Sequence, residues 1–194
     1  MDSNLYELTN SQKNIYLREQ SYDKTPINIV SFSYIINKDV NIEICKKAIN
    51  EIIKRNDAIR FQIIKNTNGI FQKIIPYSPE DISVIDCADK TLDEVKSVIN
   101  SNVNIPFDPF ENNKLYRVTI YKLENNNVVI NFVLHHIISD GWTSKVIFKQ
   151  FNTYYYYLSN NIDIPDNPPS YMNYINSEKE YMQSLIFEKD KNYW

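Results

Sequence analysis

The chain reads as an α/β protein, a mixed sheet covered by helices, and three kinds of segment predict it. Apolar residues recur at intervals of three and four from Ile42 to Arg55, the spacing of one buried helix face. Residues 28–37, 115–123 and 127–134 are β-branched and aromatic runs that suit strands. Between two further apolar runs, 59–65 and 70–75, stands Asn66-Thr67-Asn68-Gly69, whose Asn-Gly pair supplies the positive φ of a hairpin. Helical and strand segments interleave with no internal repeat and no long linker, so one domain of mixed layers is expected.

The remaining elements follow in order. Residues 11–20 predict a short helix with Thr9 or Asn10 as N-cap, and residues 82–86 a strand. Thr91-Leu92-Asp93-Glu94 is a capping box opening a helix to about Val103. Residues 104–113 carry two prolines and little periodicity, which marks a loop. The strand at 127–134 is joined to its predecessor across Glu124-Asn125-Asn126 and runs straight into His135-His136. A helix is expected over 144–158, where tyrosines 154–157 cover every face, then a proline-marked loop to Pro169. Ser170 should cap a single last helix running toward Glu188.

Composition narrows the function classes. Apolar residues make up 43% of the chain, enough for one core. A formal charge of −3 without a Lys/Arg-rich run disfavours a nucleic-acid partner. The longest apolar stretch, 128–134, is interrupted by Asn131 and falls far short of the ~20 residues of a membrane span. The N-terminus has no apolar signal-peptide core. Cys45 and Cys87 are distant and form no C-x-x-C pair, which fits buried thiols in a reducing compartment, the cytoplasm by default.

Scarce residue types converge at one place. The chain's two histidines are neighbours, and they open His135-His136-Ile137-Ile138-Ser139-Asp140-Gly141, which holds one of its two glycines. Strand alternation sends the two histidine side chains in opposite directions, so only one should face a substrate. A histidine can take or hold a proton near neutral pH. Asp140 can orient a histidine or cap the next helix, and Gly141 can admit a close approach to the backbone. No metal site is expected: zinc needs three or four ligands, and divergent histidines with distant cysteines supply too few.

The pattern H-H-x-x-x-D-G resembles the core motif of condensation domains from nonribosomal peptide synthetases, shared more loosely with chloramphenicol-acetyltransferase-like acyltransferases. Other segments extend the resemblance in family order. Leu8-Thr9-Asn10-Ser11-Gln12 through Tyr16 is similar to L-S-x-A-Q-x-x-L-W, with Ser11 for alanine and Tyr16 for tryptophan. Arg55-Asn56-Asp57-Ala58-Ile59-Arg60 is similar to R-H-E-x-L-R, with both arginines kept. Pro106-Phe107-Asp108 with Leu115-Tyr116-Arg117 resembles P-F-D…L-x-R, Tyr171–Tyr174 a weakened Y-x-D-Y, and Tyr193-Trp194 the Tyr-Trp that follows.

The resemblance implies a chloramphenicol-acetyltransferase-like fold of two lobes with the site between them. Residues 1–194 would form the N-terminal lobe, with the C-terminal lobe absent. It implies amide formation between a thioester on a donor carrier protein and the amine of an acceptor carrier protein. Both substrates would ride on 4'-phosphopantetheine arms, with no cofactor bound by the lobe itself. His136 would be the catalytic residue, as general base or positioning group, and His135 would act through packing. Asp140 would form a structural ion pair with Arg60, and Gly141 would keep the substrate channel open. A single lobe should be inactive and expose an apolar patch near His136.

An epimerization domain and a free-standing acyltransferase of the same superfamily are alternatives. A cyclization domain is disfavoured because it has Asp where His135 stands. A non-catalytic carrier-docking half-domain is the reading from a different class, prompted by Asn56-Asp57 and the weakened 171–174 motif.

Overall fold

The computed structural model describes residues 5–22, 25–37, 40–110, 114–165 and 168–194. Parts of the predicted loops at 104–113 and 160–169 lie outside these. Its centre is a four-stranded sheet in the order β2 (Ile29–Ile36), β7 (Val128–His135), β6 (Tyr116–Lys122) and β5 (Ser83–Asp86). β7 runs antiparallel to both neighbours, while β5 is parallel to β6, so the sheet is mixed as expected. Every residue of β7 is buried. That requires cover on both faces, and it explains a near-continuous apolar run instead of alternation.

The larger core is built on α2 (Ile42–Arg55) and α4 (Thr143–Ser159), which pack against each other. α2 forms because Asn41 accepts the Ile44 N–H at its start, Glu43 and Lys54-Arg55 suit its dipole, and Cys45, Ala48, Ile49, Ile52 and Ile53 make one buried stripe. A smaller cluster gathers Cys87, Val95, Tyr121 and Val129 under α3 (Leu92–Val103), whose Thr91/Glu94 capping box is present. Tyr121 and Val129 alternate with Ile120 and Ile130 of the larger core, so α3 covers the opposite face.

Asn131, the polar residue in the middle of β7, is satisfied on its donor side. The Asn131 amide donates to the Ser31 and Ser33 hydroxyls at 3.0 Å each and to the Phe32 carbonyl at 3.3 Å. All three lie on β2.

A second, three-stranded sheet, β1 (Tyr6–Glu7), β4 (Gly69–Ile74) and β3 (Phe61–Asn66), was not anticipated as separate. Its hairpin corrects the turn chemistry. Asn66 pairs with Gly69, so Thr67 and Asn68 form the tip, and only Gly69 carries a positive φ, at 132°. Asn68 is held instead by its own N–H donating to the Asn66 side chain at 2.8 Å. Among the described residues the positive-φ asparagines are Asn125 and Asn126, which turn the chain between β6 and β7, and Asn161.

α1 (Asn10–Gln20) is capped by Thr9, with Gln12 completing a capping box. The C-terminal segment is two helices, not one: α5 (Tyr171–Met182), capped by Ser170, and α6 (Leu185–Tyr193), capped by Ser184. Asp57 anchors α5 from afar, accepting the Tyr171 N–H at 3.0 Å and the Ser170 hydroxyl. Asp57→Ala should therefore cost about 1 kcal/mol and speed amide exchange at Tyr171, read by urea unfolding and hydrogen exchange.

Candidate active site

β7 delivers His135 as its last residue, and the His135 N–H still donates to the Leu115 carbonyl at 2.8 Å. The chain then tightens into a 3-10 turn, His136–Ile138, before α4. The change of geometry separates the two histidines. His135 is 2% exposed, its ring edge-on to Phe107 at 6.1 Å, whereas His136 is exposed.

The two rings also have different hydrogen-bond logic. His135 Nδ1 accepts the Ile137 N–H at 3.0 Å, so this nitrogen is unprotonated and the ring caps the turn. His136 Nδ1 lies 2.8 Å from the Ser139 carbonyl, and since a carbonyl only accepts, Nδ1 bears the proton. In the neutral ring the lone pair is therefore on Nε2, on an exposed side chain.

Asp140 does not do what the resemblance implied. Its Oδ1 accepts from the Trp142 N–H (3.0 Å), the Thr143 N–H (3.0 Å) and the Thr143 hydroxyl (2.8 Å), fixing the first turn of α4. It therefore caps a helix; the His136 ring is oriented by Ser139. Arg60 is engaged elsewhere, donating to the carbonyls of Ile53 (2.8 Å), Lys54 (2.5 Å) and Ile75 (3.1 Å). The first two are open carbonyls in the last turn of α2, and a guanidinium satisfies them while complementing the helix dipole. The expected Asp140–Arg60 ion pair is not formed among the described residues.

Neighbouring motif residues are likewise structural. The Asn56 amide exchanges hydrogen bonds with Gln150 of α4, at 2.9 and 3.1 Å. Phe107 lies between His135 and Arg117, whose guanidinium stands 4.0 Å above its ring. Arg117 also donates to the Asn102 and Ile105 carbonyls at 3.2 and 2.6 Å, closing the end of α3 much as Arg60 closes α2. Burial pulls the Arg117 guanidinium below its ordinary pKa.

Gly141 has no positive φ, and a Cβ built there would meet nothing within 4 Å. Neither backbone strain nor packing among the described residues requires glycine there. Trp142, 68% exposed, and Val146 give the adjoining surface of α4 an apolar character. Cavities of about 210 and 260 Å³ lie under β6 and the 75–83 segment, and neither is lined by His136, Asp140 or Gly141. His136 thus stands on an open face. Among the described residues no group of three or more His, Cys, Asp or Glu is placed to hold a metal ion, and no helix is long and apolar enough to cross a membrane.

Two residues that sequence reasoning left in the background hold this turn from below. Gln12 of α1, buried, donates to the Ile137 carbonyl at 3.1 Å and shares hydrogen bonds with Gln72 of β4 at 2.8 Å. Glu19, two turns further along α1, brings Oε2 to 3.5 Å from His135 Nε2. Gln12 was legible as a motif position; Glu19 carried no signal of its own.

The family model described as "Condensation domain" matches residues 2–194. Over the whole chain the sequence is 29% identical to a plipastatin synthase subunit of Bacillus subtilis (strain 168) and 29% identical to a surfactin synthase subunit of the same strain. The chain spans only 8% and 6% of those two proteins. The crystal structure of a variant of the starter condensation domain of rhizomide synthetase superposes with a TM-score of 0.92 at 19% identity, over 99% of this chain and 45% of that one. The chloramphenicol-acetyltransferase-like fold expected from the motifs is the fold observed.

Proposed function

Because the chain belongs to the condensation-domain family of nonribosomal peptide synthetases, we propose that it supplies the histidine-bearing lobe of an amide-forming acyltransferase. In this reading the amine of an aminoacyl group on an acceptor carrier protein attacks the thioester on a donor carrier protein. A C–N bond forms, the C–S bond breaks, and the donor arm leaves as a thiol. Both groups are delivered on 4'-phosphopantetheine arms to a cleft whose second wall is a C-terminal lobe. The free thiols of Cys45 and Cys87, both buried, suit a reducing, cytoplasmic setting.

The observation that carries the reading is the state of His136. Its Nδ1–H is committed to the Ser139 carbonyl, so Nε2 presents a lone pair on an exposed face. That nitrogen can take the proton the amine sheds as it attacks and return it to the departing thiolate, or hold the amine in line. Thioesters are activated, so holding the two arms together supplies much of the acceleration. Gly141, where an added Cβ would meet nothing within 4 Å among the described residues, leaves room for an arm or for the second lobe. The docking-module alternative, prompted by Asn56-Asp57 and the 171–174 motif, predicts instead that even the complete domain transfers no acyl group.

The test is a single-turnover assay with loaded donor and acceptor carriers, read by intact-protein mass spectrometry. The complete domain should transfer the acyl group, the 194-residue chain alone should not, and adding a separately expressed second lobe should restore turnover. Robust transfer by the chain alone would overturn the half-site reading.

A further inference from the structure

Glu19 and His135 form a buried contact that the acyl-transfer reading leaves unused. His135 Nδ1 is unprotonated because it accepts the Ile137 N–H. A neutral ring must then carry its proton on Nε2, a buried atom that makes no hydrogen bond and lies 3.5 Å from Glu19 Oε2. That distance is long for a hydrogen bond, so the contact is chiefly the attraction of a carboxylate for the facing N–H. The Asn28 amide donates to the same oxygen and holds the carboxylate in place. Burial pushes the Glu19 carboxyl up, but His135 and Asn28 outweigh it and keep it below its ordinary range.

The ring can serve the turn in one tautomer only. With the proton on Nδ1, two N–H groups would face each other at Ile137 and the cap would be lost. The same turn presents His136, and its other side is gripped by Gln12 through the Ile137 carbonyl. Gln12 and Glu19 lie seven positions apart on α1, which places them on one face two turns apart. α1 thus clamps the turn at both ends, and the pinned turn fixes the Ser139 carbonyl that in turn fixes the His136 tautomer.

We propose that Glu19 is a positioning residue of the His136 site: its carboxylate locks His135 in the Nε2–H tautomer, and that tautomer caps the turn that aims His136. The role rests on the reading of His136 as the reacting histidine. The lock itself does not, and its readout needs no turnover. Failure of the lock would leave the assignment of His136 standing, and failure of His136 in the transfer assay would leave the lock as a feature of the fold.

With only two histidines in the chain, long-range 1H–15N spectra resolve both rings. In the wild type at neutral pH, His135 should show a protonated Nε2 and an unprotonated Nδ1. Glu19→Ala should move His135 toward Nδ1–H and mix the His136 tautomers. Exchange of the Ile137 amide should rise by roughly five- to tenfold, the factor carried by one net hydrogen bond. Glu19→Gln keeps a carbonyl acceptor and should retain the wild-type tautomers. Glu51→Ala, which removes a carboxylate paired with Arg55 on α2, should leave both rings unchanged. The proposal is overturned by an Nδ1–H or doubly protonated His135 in the wild type, by unaltered rings in Glu19→Ala, or by equal changes in Glu51→Ala. If Glu19→Ala does not fold, the wild-type and Glu19→Gln spectra decide, and an Nδ1–H His135 in either overturns it.

Discussion

His136→Ala should cut amide formation in the complete domain by roughly 10²- to 10⁴-fold, the range supplied by a positioned acid–base group. Stability should move by no more than about 0.5 kcal/mol, because the side chain is exposed and gives up only its bond to the Ser139 carbonyl. The measurement is single-turnover transfer between loaded carriers, paired with urea unfolding of the same variant. Transfer at the wild-type rate would remove His136 from the chemistry. In that event the non-catalytic docking reading returns.

His135→Ala should behave in the opposite way. The substitution deletes a ring packed against Phe107, strips the Ile137 amide of its acceptor and leaves the Glu19 carboxylate facing a void. An unsatisfied buried donor and a cavity together should cost about 3–5 kcal/mol. For a chain of this length that lowers Tm by roughly 10 °C. Thermal unfolding at matched concentration checks it, and a loss below about 1 kcal/mol would mean that the turn does not depend on the ring. Adjacent residues in one motif are thus expected to fail for unrelated reasons, one chemical and one mechanical.

Local signals made most of this readable, and the failures have physical causes. The bounds of α2 were visible because cap, dipole and apolar stripe all agree at Ile42 and Arg55. β1 is two residues long, too short for any periodicity to show. The break between α5 and α6 involves neither glycine nor proline; its one marker, Ser184 accepting the Phe187 N–H, looks in sequence like any helical serine. At the candidate site, strand alternation predicted that the two histidines diverge; they do, but because the chain leaves β7 for a 3-10 turn at His136. Asp140 and Arg60 were matched to each other because opposite charges are visible in a sequence. Their actual partners are main-chain groups, which every residue carries and no motif can single out. Glu19 was illegible for a related reason: its meaning depends on a residue on β7, brought near by the fold.

The hydrogen bonds from Asn131 to β2 span up to 100 residues of sequence, and this has a consequence for how the protein is born. At about 5–20 residues per second, a ribosome needs roughly 5–20 s to deliver β7 after β2 has emerged. During that interval β2, with Ile29, Val30, Phe32, Tyr34, Ile35 and Ile36, has no partner on the chain. A nascent strand of that composition is a template for intermolecular pairing. Ser31 and Ser33 blunt it: the two hydroxyls that later receive Asn131 first keep the middle of one face of the waiting strand wetted, so one short polar pair serves the newborn chain and then helps set the register of the finished sheet.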